Sequence, residues 1–364
     1  MQKITFIAQF PPPIHGLSKA VETLYNSGLS QRYHFYKINI ADNKKILSTL
    51  YRILVNESDL YYFTISQTKG GNWRDLLILK LLELKHAKCL IHLHGGYYRQ
   101  LIDNDCSKFQ KRLNYKSIHK LSGCIVLGKS LRKIFKGMID DNKIFIVPNC
   151  VDNQYTLPES LFDIKMEHLL EDRPLNILYL SNFIPTKGYR EVLQLACMFK
   201  ENDINNFHFH FAGKFFDDNE KKYFENYIVK NGLEANVTYH GIVTGETKNN
   251  LLRMSHIFIL LTRYPNEGQP ISILEAMGNA MLVITTNHAG IPDIVENGKN
   301  GLVVEKDNIN VKNIFSYLMD IYANRKALEK ICKTNYDIVV TKYTEQQYLE
   351  NMDSVFKKVL SSGN

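Results

Sequence analysis

The alternation of short β-rich apolar runs with longer helical stretches is the feature that most constrains the fold of this chain. The runs occupy residues 4–10, 35–40, 60–65, 89–94, 124–127 and 144–147, and then 177–180, 207–212, 237–240, 257–262, 282–285 and 302–304. Strand–helix repetition of this kind predicts mainly parallel sheets with helices on both faces. We therefore predict an α/β protein with two Rossmann-like domains in tandem.

Length and one polar segment indicate where the domains meet. A chain of 364 residues is long enough for two domains that each bury a full sheet. The polar and proline-bearing segment 152–175 is interpreted as the linker. The predicted domains cover residues 1–158 and 174–343. Apolar residues at helical spacing in the tail, residues 344–364, predict a last helix with one buried face.

The loops that follow the strands are the expected places for functional residues. In open parallel sheets, ligands bind beyond the carboxyl ends of the strands, where loops and helix N-termini gather. If two such sheets face each other, the substrate site is expected in the central cleft between them.

The run from Glu267 to Glu275, after the strand at 257–262, is the most informative part of the sequence. Pro270 suits the first turn of a helix, so Glu267 is predicted in the loop before the helix and Glu275 inside it. The N–H groups around Gly268 to Ser272 would then form the positive end of the helix, which suits a diphosphate. The alternative is that both glutamates only stabilise an ordinary helix. The candidate residues of this run are Glu267, Gly268, Gln269, Pro270, Ile271, Ser272 and Glu275.

Three further candidates lie at the end of a predicted strand or in the loop after it. Lys187 precedes Gly188 at a helix start, where its ammonium can neutralise a diphosphate leaving group. Gly16 ends a proline-rich turn after the first strand, just before a predicted helix with Ser18 as a possible N-cap. His94 ends the predicted strand 89–94 and is followed by two glycines, so it is predicted to open onto the cleft. The alternatives are a surface lysine for Lys187 and a histidine that satisfies a turn carbonyl for His94.

The run from Glu267 to Glu275, together with Ala276-Met277 and residues 289–295, resembles the family 4 retaining glycosyltransferases. The segments that agree with this family in order are residues 11–16, 92–96, 147–152, 187–188, 240–241, 297–298 and 301–303. The resemblance therefore spans nearly the whole chain.

This resemblance implies a GT-B fold, in which two Rossmann-like domains face a central cleft and the last helix crosses back to the N-terminal domain. It also implies metal-independent transfer of a sugar with retention, and no cofactor beyond the nucleotide-sugar co-substrate. By the resemblance, Glu275 holds the ribose hydroxyls, and Glu267 and His94 contact the donor sugar. Gly268 and the amides after it contact the sugar and the diphosphate. The family often has two glycines whose N–H groups contact the donor phosphates, and this chain has Gly16-Leu17 there, so the resemblance implies that contact for Gly16.

The chain departs from the family pattern at Ser181-Asn182, where most relatives have Gly-Arg. Asn182 can donate hydrogen bonds to the donor but lacks the charge of an arginine. Arg263 or Arg190 are the candidates for that missing charge. The departure also supports an alternative function, in which a non-catalytic nucleotide-sugar-binding or scaffold protein uses a decayed GT-B fold.

The sequence argues against three other functional classes. Asp103-Asn104-Asp105 resembles the acidic triplet of metal-dependent glycosyltransferases, but solvated carboxylates near a helix start explain it better, so no metal site is predicted. A dinucleotide-dependent dehydrogenase needs Gly-x-Gly-x-x-Gly after the first strand, and residues 11–16 lack it. Dispersed lysines without a reading motif argue against nucleic-acid binding.

The charge is unevenly distributed along the chain. The formal net charge is +8, and residues 1–158 carry 23 Lys and Arg against 11 Asp and Glu. This excess favours an anionic partner, and we predict a glycan acceptor, lipid-linked and used in surface polysaccharide or lipopolysaccharide synthesis. A solvated lysine-rich surface is the alternative.

The predicted location is the cytoplasm, with peripheral contact at the cytoplasmic face of an anionic membrane. The six scattered cysteines are typical of reduced core residues. The N-terminus lacks the pattern of a secretory signal, and no apolar run is long enough to span a bilayer.

Overall fold

The structure, a computed structural model, contains two parallel six-stranded sheets and describes residues 1–12 and 16–362. The strands of the first sheet are β1 (Lys3–Ala8), β2 (His34–Asn39), β3 (Leu60–Thr64), β4 (Cys89–His92), β5 (Gly123–Val126) and β6 (Ile144–Ile146). Those of the second are β7 (Leu175–Leu180), β8 (Phe207–Ala212), β9 (Val237–Tyr239), β10 (Ile257–Leu260), β11 (Leu282–Thr286) and β12 (Gly301–Val304). The predicted α/β class with two parallel sheets is confirmed.

Helices connect the strands and cover the sheets. In chain order they are α1 (Gly16–Tyr25), α2 (Ile46–Val55), α3 (Lys69–Leu84), α4 (Tyr98–Gln100), α5 (Lys108–His119), α6 (Glu159–Leu170), α7 (Tyr189–Glu201), α8 (Asp218–Lys230), α9 (Gly245–Met254), α10 (Ile271–Gly278), α11 (Val311–Ala323), α12 (Arg325–Lys342) and α13 (Glu345–Ser361). Almost all side chains of β1, β3, β4, β5, β10 and β11 are buried, as expected for strands that helices cover on both faces.

The order of the strands determines where ligands are expected. The first sheet runs β2-β1-β3-β4-β5-β6 and the second runs β12-β11-β10-β7-β8-β9. The chain therefore changes direction across the second sheet between the neighbouring strands β7 and β10. Loops that leave the carboxyl ends of such a pair diverge, and the crevice between them is the usual ligand site of an open α/β sheet.

The chain divides into two compact units. Unit 1 comprises Met1–Asn149, Pro265–Gln269 and Gln346–Asn364, and unit 2 comprises Cys150–Tyr264 and Pro270–Glu345. These bounds differ from the predicted ones, in which the first domain ends at residue 158 and the second begins at residue 174. Residues 150–158 join unit 2 because the Val151 N–H donates to the Tyr343 carbonyl and the Leu157 N–H donates to that of Gly278.

The predicted linker is largely helical. Helix α6 (Glu159–Leu170) lies inside the segment 152–175, and it buries Lys165, Met166 and Leu169 within unit 2. Together with Phe162, these residues recur at helical spacing, but acidic residues between them hide the pattern.

Helix α13 belongs to unit 1, as the predicted fold requires. Its residues Tyr348, Met352, Phe356 and Val359 are buried, which confirms the predicted apolar face. The Phe356 ring lies 5.8 Å from the ring of Tyr33, measured between centroids. The last helix therefore packs with the first sheet, although the chain of unit 2 separates them in sequence.

Among the described residues, none of the helices combines the length and the apolar composition needed to span a membrane.

Candidate functional site

The loops after β7 and β10 are held together at the carboxyl edge of the second sheet. The Arg263 N–H donates to the Thr186 carbonyl over 2.7 Å. Gly188 has a φ of 84°, and a Cβ at this position would overlap the backbone of Leu261. Only glycine suits this combination of a left-handed backbone and close contact. The turn that carries Lys187 is thereby held beside the end of β10.

Lys187 lies over an aromatic ring in this region. Its Nζ is 4.8 Å from the centre of the Tyr264 ring, and a ring nitrogen of His288 lies 2.8 Å from the Tyr264 carbonyl oxygen. A ring face attracts an ammonium and restricts its position. The structure thus places Lys187 as predicted, in a loop at the carboxyl edge, and its role toward a diphosphate stays a prediction.

The two arginines considered as substitutes for the missing family arginine are both paired. Asn182 is exposed just after β7. One guanidinium nitrogen of Arg190 lies 2.7 and 2.8 Å from the two carboxylate oxygens of Glu220, so the Arg190 side chain is directed to α8. Arg263 pairs with Glu191 at 2.7 Å, but its backbone adjoins the Lys187 turn. Arg263 is therefore the nearer of the two to the candidate site.

Glu275 is a buried carboxylate on α10 with a lysine partner. It is 5% exposed, and Lys248 on α9 donates to its Oε1 over 2.6 Å. Burial raises the pKa of Glu275, and the Lys248 ammonium opposes that effect. Lys248 also lies 4.0 Å from the centre of the Tyr155 ring. Sequence reasoning missed Lys248, although its position on the helix after β9 was a usable signal.

Helix α10 begins one residue later than predicted. Pro270 is the N-cap, with Ile271 and Ser272 in the first turn. The Ile273 N–H donates to the Pro270 carbonyl over 3.2 Å. The first N–H groups of a helix have no acceptor within the helix, so those of Ile271 and Ser272 are the ones suited to an anion.

The loop residues Pro265–Gln269 lie in unit 1, whereas the prediction assigned them to the C-terminal domain. A Cβ at Gly268 would overlap the His94 carbonyl oxygen, so these two backbones are in direct contact. Gln269 accepts a hydrogen bond from the Asn149 N–H at 2.8 Å, and its amide donates to the Leu127 carbonyl at 3.3 Å. Its side chain therefore anchors the loop.

His94 and Glu267 lie in the same part of unit 1. Strand β4 ends at His92, two residues earlier than predicted, and His94 follows in the loop. The rings of His92 and His94 are 3.9 Å apart between centroids. Burial lowers the pKa of His92, with a smaller contribution from His94. Glu267 is only 7% exposed.

Gly16 is exposed at the start of α1. Within its motif, residues 11–16, residues 13–15 lie outside the described residues. The contact of Gly16 with a donor phosphate stays a prediction.

The structure thus assigns the predicted residues to two groups. His94, Glu267, Gly268 and Gln269 come together in unit 1. Asn182, Lys187 and the residues from Pro270 to Glu275 belong to unit 2, at the carboxyl edge of its sheet. Asp103, from the acidic triplet, instead pairs with Arg99 at 2.6 Å and Lys111 at 2.9 Å.

The unit 2 group has the chemistry of a nucleotide site. An ammonium and the N-terminal end of a helix stabilise phosphate oxygens, and a carboxylate accepts hydrogen bonds from hydroxyl groups.

Comparison with known proteins agrees with this chemistry. Residues 162–337 match the model of the family described as glycosyl transferases group 1. The poly(ribitol-phosphate) alpha-N-acetylglucosaminyltransferase of Staphylococcus aureus (strain COL) is 23% identical over 274 residues, which cover 75% of this chain and 51% of that protein. Spore coat protein SA of Bacillus subtilis (strain 168) is 24% identical over 50% of this chain and 48% of that protein. The matched segments thus span about half the length of these two relatives.

Solved structures resemble the whole chain more fully than the sequences do. The structure of Anabaena HepE in complex with UDP matches 98% of this chain and 99% of that chain, with a TM-score of 0.76 and 15% identity. The narrower assignment to family 4 stays a prediction. The chain has the GT-B fold, and its residues 162–337 are similar to the glycosyl transferases group 1.

Proposed function

We propose that the chain is a metal-independent, retaining hexosyltransferase of family 4 that uses a nucleotide-diphosphate sugar as donor. The observation that carries this proposal is the group at the carboxyl edge of the second sheet: the Lys187 ammonium, the N-terminal end of α10 and the buried Glu275. All three lie within the segment that matches the glycosyl transferases group 1.

In this proposal, unit 2 binds the nucleotide part of the donor. The N–H groups of Ile271 and Ser272 bind the diphosphate, and Glu275 accepts hydrogen bonds from the ribose hydroxyls. Lys248 favours the ionised form of Glu275, which is the better acceptor. Asn182 donates hydrogen bonds near the phosphates. HepE was solved in complex with UDP-glucose, so UDP-sugars are the first donors to test.

The proposed reaction needs little acid–base chemistry from the protein. The bond from the anomeric carbon to the diphosphate oxygen breaks, and the acceptor oxygen bonds to that carbon on the same face. The departing phosphate oxygen takes the acceptor's proton. The protein then supplies position and charge, with Lys187 neutralising the leaving group.

Unit 1 supplies the remaining contacts in this proposal. His94, Glu267 and Gly268 contact the donor sugar, and Gly16 contacts a phosphate through its backbone. Gln269 acts through its backbone, because its side chain is used by Asn149 and Leu127.

The proposed acceptor is a lipid-linked glycan at the cytoplasmic face of an anionic membrane, in surface polysaccharide or lipopolysaccharide synthesis. One surface of unit 1 supports this part. Helix α3 packs between α2 and α5, and Glu83, a partly exposed acidic side chain of α3, pairs with Lys80 and Lys120. The exposed positions of the three helices include Leu47, Tyr51, Trp73, Leu77 and Phe109 among apolar residues, interspersed with Arg52, Lys69, Lys80, Lys108, Arg112 and Lys116. Apolar groups among cations suit an anionic bilayer surface.

A thermal-shift panel of UDP-, GDP-, ADP- and dTDP-sugars tests the donor part. A true donor is expected to raise the melting temperature by mass action, and Glu275→Ala is expected to abolish the shift. Lys221→Ala, on the exposed face of α8, is the control. Absence of a shift with every nucleotide-sugar contradicts the proposal.

Vesicle sedimentation tests the membrane part. Binding to anionic vesicles is expected to weaken at high salt and in Phe109→Ala, and neutral vesicles are expected to bind little. Equal binding to both kinds of vesicle contradicts the proposed anionic surface.

A non-catalytic nucleotide-sugar-binding protein is the second candidate, because Asn182 replaces the family arginine. Donor binding without transfer to any glycan acceptor favours this candidate.

A further inference from the structure

A cationic cavity lies in unit 2 at the amino edge of the second sheet. Its volume is about 510 Å³, within the range of small-molecule sites. It is bounded by one face of α6, the starts of β7 and α12, and the end of α9. Lys187 and Glu275 follow the carboxyl ends of the strands, so the cavity is separate from the candidate donor site.

The walls of this cavity combine positive charge with apolar surface. The basic residues that line it are Lys165, His168, Arg173, Arg253, His256 and Arg325, and no Asp or Glu lines it among the described residues. Burial lowers the pKa of His256 to about 3, so this imidazole is neutral and the positive charge comes from the other residues. Leu161, Ile164 and Met254 form the apolar part. Arg173 and Arg253 pair with Glu171 and Glu246, which lie outside the lining. The Arg325 guanidinium donates to the Arg173 carbonyl at 2.8 Å.

Lys165 is the unusual residue of this set. Its side chain is 7% exposed, and no ion pair joins it to a carboxylate among the described residues. Its ammonium donates to three carbonyl oxygens, those of Asn279 at 2.6 Å, Ser255 at 2.7 Å and Leu252 at 3.4 Å. Burial lowers the pKa of Lys165 to about 7. A buried cation without a countercharge is costly, and a bound anion would reduce that cost.

The three carbonyls connect the cavity to the candidate donor site. Leu252 and Ser255 are at the C-terminal end of α9, which carries Lys248, and Asn279 is the C-cap of α10, which carries Glu275. A protonated Lys165 can donate to all three carbonyls, whereas the neutral amine has only two hydrogens. The charge on Lys165 therefore affects how firmly these helix ends are held.

We propose that this cavity binds a phosphate monoester with an apolar substituent, and that its occupancy strengthens nucleotide binding through Lys165 and the ends of α9 and α10. The phosphate accepts hydrogen bonds from the arginines, which are strong because they are charge-assisted. The apolar substituent packs on α6. The effect on nucleotide binding rests on the proposed function, whereas binding in the cavity does not.

Calorimetric titration of the full chain with phenyl phosphate, at low salt and pH 6.5, tests the site. Saturable binding is expected, with inorganic phosphate binding more weakly because it lacks the apolar part. Arg325→Ala, at the rim, is expected to weaken binding at least tenfold, and Lys165→Met is expected to weaken it further. Lys221→Ala and Lys187→Ala are expected to retain it. No saturable binding, or equal binding in Arg325→Ala, overturns the site.

The coupling is tested by measuring the Kd of UDP with and without phenyl phosphate. A decrease of at least threefold is expected in the wild type but not in Arg325→Ala, and an unchanged Kd overturns the coupling. If UDP does not bind at all, the proposed function fails, while the phenyl phosphate titration still decides whether the cavity is a site.

Discussion

Gln269 and Lys248 have different roles near the Glu267–Glu275 run: one holds a loop in place, and the other pairs with a carboxylate of the candidate site. Both oxygens of Gln269 accept from Asn149: Oε1 from its N–H at 2.8 Å, and the carbonyl from its Nδ2 at 2.9 Å. Its side chain therefore holds a loop in place. Lys248 instead pairs with Glu275 at 2.6 Å and affects a carboxylate that the proposed reaction uses.

Lys187→Ala is expected to reduce kcat about 10²–10³-fold, because a charge aimed at a departing phosphate acts mainly in the transition state. Stability is expected to change little, since the side chain is only half-buried. Initial rates at saturating donor measure the effect, with Lys221→Ala as the matched control. A kcat within twofold of the wild type contradicts the assigned role.

Gly268→Ala is expected to destabilise the fold by about 1–3 kcal/mol, because the new Cβ would overlap the His94 carbonyl oxygen. Gly70→Ala is the matched control. Apart from its chain neighbours and the backbone of its own helix, no atom lies within 4 Å of the position that a Cβ would take at Gly70, in the first turn of α3. This change is therefore expected to be neutral or to stabilise by up to about 1 kcal/mol. Urea unfolding measures both variants, and equal midpoints contradict the prediction.

At the scale of elements, strands β8 and β9 place histidines together on one face of the second sheet. His208 and His210 alternate along β8, and His240 follows β9. The Nδ1 of His210 lies 3.0 Å from the Nε2 of His240. Burial, with smaller contributions from His208 and His240, lowers the pKa of His210 to about 4. The folded state therefore keeps this imidazole neutral.

The free energy of unfolding is expected to fall as the pH is lowered from about 6.5 to 4.5. In this window the unfolded chain binds a proton at His210 that the folded chain does not, so stability rises with pH. In His210→Gln, the decrease in the free energy of unfolding over this pH range is expected to be smaller by about 1–3 kcal/mol. The exposed His34, replaced by Gln, is the control. Denaturant unfolding at several pH values measures the slopes, and identical slopes in all three proteins contradict the prediction.

At the scale of the whole molecule, α13 completes unit 1 after the chain has formed unit 2. Asp353 accepts a hydrogen bond from the Tyr33 hydroxyl at 2.8 Å and pairs with Arg32 at 2.7 Å. Phe356 packs against the rings of Tyr33 and Tyr62. Unit 1 therefore depends on residues from both ends of the sequence.

Phe356→Ala is expected to lower the free energy of unfolding by about 3–5 kcal/mol, since the ring is fully buried. Phe109→Ala, where the ring is 63% exposed, is expected to cost less than about 1 kcal/mol. Calorimetry on the full chain compares the two, and comparable losses contradict the proposed importance of α13 for unit 1.

Local pattern and tertiary contact explain which predictions matched the structure. The sheets, the last helix and the helix after Pro270 could be predicted, because β-propensity and apolar spacing are properties of neighbouring residues. Several strand ends could not. Strands β4, β9 and β10 end one or two residues before the predicted bounds. Apolar loop residues that pack beyond a strand look the same in sequence as residues within it.

The sequence by itself determined the α/β class, the two sheets, the loops that hold Lys187 and Glu267 and the helix that holds Glu275, because these follow from local periodicity and turn residues. Only the tertiary structure decided that residues 265–269 join unit 1, that Lys248 is the partner of Glu275, and that Lys165 joins the ends of α9 and α10. The reason is physical: Asn149 and Gln269 are 120 positions apart, and Lys165 and Asn279 are 114 apart. Contacts at such separations depend on how the whole chain packs and leave no local pattern.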